Sequence, residues 1–260
     1  MAVIFDAVKK GFGVASKNLG LVLILVVFNL VGSLASMPFA VQPGQTPTNQ
    51  MTVSALIFSV IFILISIFFQ GASLGLVRDY VKSGAAKLSS FVSYGAKYYL
   101  KLFVLGLLII LIIGVAAIVA GLIVAATSPL NNAIVTNIAV VIAIAIVAVI
   151  GLLYFIPLTL SPYALVCDET GVIEAMKKSL SVVKNPFSRV LTLLLLFVIL
   201  ILIALGVGLV VGFLVGLLTA VMPAAAGRIA MAVTTSIING YLGLVMTGSF
   251  MVFYLGLSNK

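Results

Sequence analysis

Side chains able to do chemistry are scarce in this chain, so each can be weighed singly. The acids are Asp6, Asp79, Asp168, Glu169 and Glu174. Of these, Asp168 and Glu169 adjoin, with Cys167 before them and Thr170-Gly171 after. Such a pair could lend oxygen ligands to a divalent cation. The simpler role is helical, because acids at the start of a helical segment meet the positive end of its dipole. Cys167 is the single cysteine, and histidine is absent. A thiol with no His or Cys partner reads as a small buried apolar side chain, not a nucleophile. The same census removes disulfide frameworks, histidine general bases and zinc sites of the His/Cys type. The expectation is a protein that is not an enzyme, with no catalytic residue, no metal and no cofactor.

The elements that carry these residues follow from composition. Apolar types make up 64% of the 260 residues and charged types 7%. An ordinary domain carries about 25% charged residues because its surface faces water. Most of this chain's surface must therefore face lipid. A helix crosses the hydrocarbon of a bilayer with about 20 apolar residues, and six stretches, uncharged but for Lys101 near the start of the third, reach that length. They run from about Leu19 to Val41, Val53 to Val77, Tyr99 to Ala126, Ile134 to Val166, Val190 to Met222 and Ile229 to Leu257. Polar or proline-bearing tips pair them into hairpins: Gln42 to Pro47, Thr127 to Asn132, and Pro223 to Arg228. Stretches longer than the minimum imply tilt, extension beyond the lipid, or a break. Pro157 and Pro162 place a break in the fourth. The first span has basic residues before it and ends near Ser33-Leu34-Ala35, as a signal peptide would. Its apolar run exceeds the 7–15 residues or so typical of a signal core, which predicts a retained span.

Charge orients the spans. Every basic residue of the fourteen except Arg228 falls on one face of this arrangement. The positive-inside rule then predicts a multi-pass protein of the plasma membrane with both termini cytoplasmic. Clustered cations beside a leaflet bind anionic headgroups at about 1 kcal/mol each. Lys9, Lys10, Lys17, Lys97, Lys101, Lys177, Lys178, Lys184 and Arg189 are the headgroup candidates; the alternative is that they only fix topology. Nucleic acid is not an expected partner even at pI 9.8, because charges flush with a bilayer form no soluble basic fold to approach a duplex.

A repeat organises the linkers. Phe5, Val8, Phe12 and Ala15 share a helical face, and a constant shift places them on Ile173, Met176, Leu180 and Val183. Asp6-Ala7-Val8-Lys9-Lys10 likewise maps onto Glu174-Ala175-Met176-Lys177-Lys178. Leu88, Val92 and Gly95 keep the stripe in a middle copy, and Lys17, Lys97 and Lys184 hold one equivalent place before a span. The period is about 80 to 87 residues, giving copies at about 1–80, 81–167 and 168–260 of a single transmembrane domain. Each copy reads as an amphipathic helix lying in the cytoplasmic interface, followed by a hairpin. Two spans per copy make the repeats parallel, not inverted.

Apart from Lys101 at the head of the third span no charged residue occurs within the spans, and ion-coupled transporters usually carry one at membrane depth. Asn29, Gln70 and Asn239, with hydroxyls such as Thr159, Ser161, Thr234, Thr235 and Ser236, are the polar groups at depth. The amides are candidates either to line a cavity or to join neighbouring helices. Gly208, Gly212 and Gly216 form a small-residue ridge on the fifth span, and Gly71 with Gly75 a shorter one on the second. Such ridges let helices approach closely, and internal packing is the expected use, an oligomer seam the other. Gly206 adds a candidate hinge.

The linkers Ser89-Ser90-Phe91-Val92-Ser93-Tyr94-Gly95-Ala96-Lys97-Tyr98-Tyr99-Leu100 and Glu174 to Phe187 resemble those of a group of archaeal multi-pass membrane proteins of unknown function. They are also similar to the membrane domain that precedes the catalytic domain in some bacterial glycerophosphodiester phosphodiesterases. The shared motifs are an acid-Ala-x-x-x-Ser helix start and a Lys-Asn before a span. The resemblance implies a membrane module without catalytic residues, since the hydrolase needs carboxylates and histidines around a metal. The reading is thus an all-α integral membrane protein of six transmembrane helices, with membrane lipids and a protein partner or second copy as expected companions. Its expected role is lipid-interacting membrane organisation or partnership with another complex; the alternative is an uncoupled transporter or permease for a small molecule or lipid.

Overall fold

The computed structural model describes residues 2–39, 49–127, 133–184, 187–219 and 224–258, and every regular element among them is helical. The helices are α1 (Ala2–Lys17), α2 (Leu19–Ser36), α3 (Asn49–Ser83), α4 (Phe91–Thr127), α5 (Ala133–Ile150), α6 (Ile156–Leu158), α7 (Ser161–Cys167), α8 (Val172–Lys184), α9 (Phe187–Thr219) and α10 (Ala224–Ser258). The tip at Gln42 to Pro47, the residues Ser128 to Asn132, Asn185-Pro186, Pro223 and Lys260 lie outside the described residues, as does the end of the first span at Val41.

Six segments are long and apolar enough to cross a membrane: Leu19–Phe39, Thr52–Ser83, Leu88–Thr127, Ile134–Cys167, Phe187–Leu217 and Ala226–Ser258. Their outward surface is what water would reject. Leu209 is 76% exposed and Ile134 71%, and continuous apolar exposure of this kind needs a lipid neighbour. Helices suit that neighbour because each satisfies its own backbone hydrogen bonds.

Two local features depart from simple rods. The middle amphipathic segment is not a helix of its own: after a 3-10 turn at Leu88–Ser90 it forms the first turns of α4. Leu88–Thr127 is 40 residues, about 60 Å of helix and twice the hydrocarbon thickness, so α4 must project beyond the lipid. The fourth span is broken as its prolines predict. A π-helical turn, Gly151–Phe155, precedes α6, and Thr159 and Leu160 separate α6 from α7. Pro157 and Pro162 lack the N–H that the carbonyls of Leu153 and Leu158 would receive in an unbroken helix. The Ser179 hydroxyl, fully buried on α8, donates to the Pro157 carbonyl and helps to satisfy the broken segment.

The chain divides into two compact units, Met1–Tyr99 with Thr192–Gly256, and Leu100–Leu191 with Leu257–Lys260. In the first, Leu21, Leu74, Tyr98, Phe197, Leu244 and Tyr254 are buried. Phe28 stacks between Phe62 and Phe69, with ring centroids 4.9 and 4.1 Å away. Helix α10 receives its neighbours through glycine. A Cβ at Gly240 would lie 2.9 Å from the Val26 amide nitrogen, and one at Gly248 3.0 Å from Val14 Cβ. The second unit is centred on Leu160, Leu165, Val166, Ala175 and Val183, where α8 packs against α6 and α7.

Gly11 and Gly13 give a direct test of the α1 docking. A Cβ at Gly11 would sit 2.0 Å from Ser249 Oγ and 2.5 Å from the Val245 carbonyl oxygen, whereas one at Gly13 meets nothing within 4 Å. Gly11→Ala is expected to cost about 1–3 kcal/mol through overpacking. Gly13→Ala should be neutral or gain up to about 1 kcal/mol of helix propensity. Thermal unfolding of both variants in the same detergent checks the contrast.

Candidate functional site

Helix α1 shows how the basic linkers are built. Its buried face is Ile4, Ala7, Val8, Gly11, Val14 and Ala15. The stripe read from sequence ran through Phe5, yet Phe5 is 60% exposed. The difference has a packing cause: α1 approaches α10 so closely at Gly11 and Gly248 that small residues must occupy the seam. Phe12, half-buried, instead meets Tyr241, with ring centroids 6.3 Å apart. Lys9, Lys10 and Lys17 are exposed. Lys10 pairs with Asp6 at 2.9 Å one turn away, an exposed contact contributing about 0.3–0.5 kcal/mol. Phe5 and Lys9 lie one turn apart, so an exposed ring and a cation share a face.

Helix α8 repeats the pattern in the second unit. Ala175, Ser179 and Val183 are buried at four-residue spacing, while Lys177 and Lys184 are exposed. Arg189, on the first turn of α9, is exposed as well. Besides Lys10, two further headgroup candidates are engaged within the second unit. Lys178 Nζ lies 2.8 Å from Asp168 Oδ2, and Lys101 Nζ donates to the Thr170 carbonyl at 3.2 Å. Asp168 is therefore held by a lysine, and Glu169 adopts a left-handed backbone with φ 55°. Cys167 is buried beside them. Among the described residues no group of three or more Cys, Asp or Glu side chains is placed to hold a metal ion.

The most elaborate polar constellation is one that sequence reasoning missed. At the end of α3, Arg78 Nη2 and Nε lie 2.9 and 3.1 Å from Asp79 Oδ1, and Arg78 Nη1 donates to the Tyr98 hydroxyl at 2.8 Å. Tyr94 donates its hydroxyl to the other Asp79 oxygen, and the guanidinium lies 5.4 Å over the Tyr94 ring. The Arg78 side chain is 11% exposed and that of Asp79 31%. Gly75 makes room, since a Cβ there would fall 2.5 Å from Tyr94 Cγ. Opposite charges this close offset one another, so the cluster ties α3 to the start of α4. Lys97, exposed, sits 5.4 Å over the Tyr98 ring. The available signal was an Arg-Asp pair ending an apolar run, followed by tyrosines four apart.

The amides at depth differ from one another. Asn29 Nδ2 returns to the Leu25 carbonyl at 2.8 Å, as Thr234, Thr235 and Ser236 return to their own preceding turns. Gln70 and Asn239 are exposed and make no hydrogen bond among the described residues. Asn239 lines a cavity of about 500 Å³ with Leu205, Gly208, Met231, Gly243 and Met246. The three amides thus do not share one lining: neither Asn29 nor Gln70 is on that wall.

The glycine ridges also differ. Gly71 and Gly75 are buried. A Cβ at Gly206, Gly208 or Gly216 would meet nothing within 4 Å, and one at Gly212 would meet only the flexible end of Met231 at 3.2 Å. The long ridge on α9 therefore borders open space within the chain.

Six membrane-length helices with lipid-like outer surfaces and charges gathered at their ends fit a polytopic helical membrane protein. The chain belongs to the family described as a domain of unknown function (DUF7847), whose model matches residues 1–257. No curated protein and no solved structure matches it.

The Arg78 cluster is testable by paired substitution. Asp79→Leu, which leaves the guanidinium without its carboxylate, is expected to cost about 2–3 kcal/mol. Arg78→Met combined with Asp79→Leu should recover most of that loss, because removing both charges leaves none unpaired. Thermal denaturation of the two variants beside the parent protein reads the difference.

Proposed function

We propose that the protein is a non-enzymatic, multi-pass protein of the plasma membrane, with both termini cytoplasmic, whose basic helices engage anionic lipid headgroups. Its role is membrane organisation or service as the membrane partner of another complex. The carrying observation is that α1 and α8 turn small or apolar faces inward and leave Lys9, Lys10, Lys177 and Lys184 exposed where spans begin. The correspondence between Asp6 to Lys10 and Glu174 to Lys178 supports a threefold parallel repeat, with a middle copy merged into α4. The likeness of the linkers to archaeal membrane proteins and to phosphodiesterase membrane domains fits a module that anchors without catalysing.

A second reading is favoured by a specific observation: Gln70 and Asn239 expose unpartnered carboxamides at membrane depth. Unmet polar groups in hydrocarbon are costly, and a small neutral solute with donors and acceptors would meet them. On this reading the protein passes such a solute without ion coupling.

One preparation separates the two. In proteoliposomes, substituting Lys9, Lys10, Lys177 and Lys184 with Gln is expected to lower the enrichment of anionic over zwitterionic lipid at least tenfold, each cation contributing about 1 kcal/mol. Unchanged enrichment would overturn the lipid reading. Flux of urea or glycerol that disappears on Asn239→Leu would establish the second reading in its place.

A further inference from the structure

Helices α9 and α10 of the first unit leave a groove that neither reading above uses. Near Arg228 it encloses about 500 Å³, walled by Ser33, Met37, Gly212, Gly216, Met231 and Thr235. Met231 and Thr235 also line the cavity that holds Asn239, so the two spaces adjoin along α10. Depth comes from glycine: the positions where side chains of α9 would fill the space are Gly208, Gly212 and Gly216, and a Cβ at Gly208 or Gly216 meets nothing within 4 Å. From Arg228 to Asn239 along α10 is about 16 Å, close to the roughly 15 Å of hydrocarbon in one leaflet.

Charge is placed at one end alone. Arg228 is the single charged residue between Val190 and Leu257, it is exposed, and it stands at the groove's mouth. We propose that this groove seats one anionic phospholipid of the leaflet at the Arg228 end, its phosphate beside the guanidinium and one acyl chain lying along the glycines. A guanidinium matches a phosphate in both charge and hydrogen-bond geometry. The remaining wall is mostly apolar and offers an acyl chain the contacts of a packed interior. A second helix is a poor occupant. It measures about 10 Å across, whereas the end of Met231 comes within 3.2 Å of the Cβ position of Gly212 and narrows the space between α9 and α10. An acyl chain needs only the flexible Met231 side chain to turn aside, where a helix would need α9 and α10 to part. The site is independent of the lysines on α1 and α8 and lies at the opposite end of the spans from them in the six-span arrangement.

The test uses the full chain in nanodiscs made from equimolar phosphatidylglycerol and phosphatidylcholine, released gently and weighed by native mass spectrometry. The parent protein is expected to retain one lipid, with phosphatidylglycerol preferred. Arg228→Gln should lower that preference about fivefold, what one interfacial cation contributes, while still retaining a lipid. Gly216→Leu, which grows a side chain into open space without meeting backbone, should lose the retained lipid of either kind. Replacing Lys9, Lys10, Lys177 and Lys184 with Gln should leave this lipid in place, so failure of the headgroup reading and failure of this site are distinguishable. Equal retention by Gly216→Leu and the parent would overturn the proposal. So would a parent dimer that Gly216→Leu separates, because the ridge would then belong to a second copy.

Discussion

Hydrocarbon gives a polypeptide neither a hydrogen-bond partner nor a counter-ion, and the design of this chain follows from that fact. Each span must close its own backbone bonds, so the described elements are helices. Charges are confined to the ends, where Asp6, Asp79 and Asp168 each pair with a cation of the same unit. Near the proline break a side chain from another helix adds a bond, the Ser179 hydroxyl of α8 donating to the Pro157 carbonyl.

Lipid tails are as apolar as the helices, so burial of apolar area does little to bring spans together. Close fit has to serve instead. Gly11, Gly240 and Gly248 let α1, α2 and α10 approach until a single added methyl would overlap a neighbour, and Gly75 gives Tyr94 its place on α3. The Arg78–Asp79–Tyr94–Tyr98 cluster adds a polar tie at the end of the same pair of helices. The glycines of α9 obey the opposite geometry, standing beside space and not beside backbone.

The spans and the proline break were legible in the sequence, because length, hydropathy and a missing N–H act locally. The face of α1 was legible only in part. Its period was visible, but whether Phe5 or Ala7 pointed inward depended on α10, more than two hundred residues away. The Arg78 cluster was hidden for a similar reason: it joins residues on two helices, and each half alone resembles an ordinary span boundary. Gly75 and Gly216 look alike in sequence, since a ridge that packs and a ridge that borders a groove have one periodicity. Lys101 and Lys178 looked like the other lysines until Thr170 and Asp168 were placed beside them.

A chain whose charges sit at the ends of its spans and whose one cation in the last hairpin marks a groove is suited to contact with both leaflets by different means. On the proposed reading, lysines on docked helices meet one headgroup layer and Arg228 meets the other. The most direct test is the sidedness of those residues. With Cys167 replaced by Ala, a cysteine substituted in turn for Lys9, Lys177 or Arg228 is exposed to a membrane-impermeant maleimide on sealed cells. The expected result is labelling at position 228 in intact cells and at 9 and 177 only after permeabilisation. Labelling of all three from the same side would contradict the six-span arrangement and, with it, the assignment of the lysines and of Arg228 to opposite leaflets.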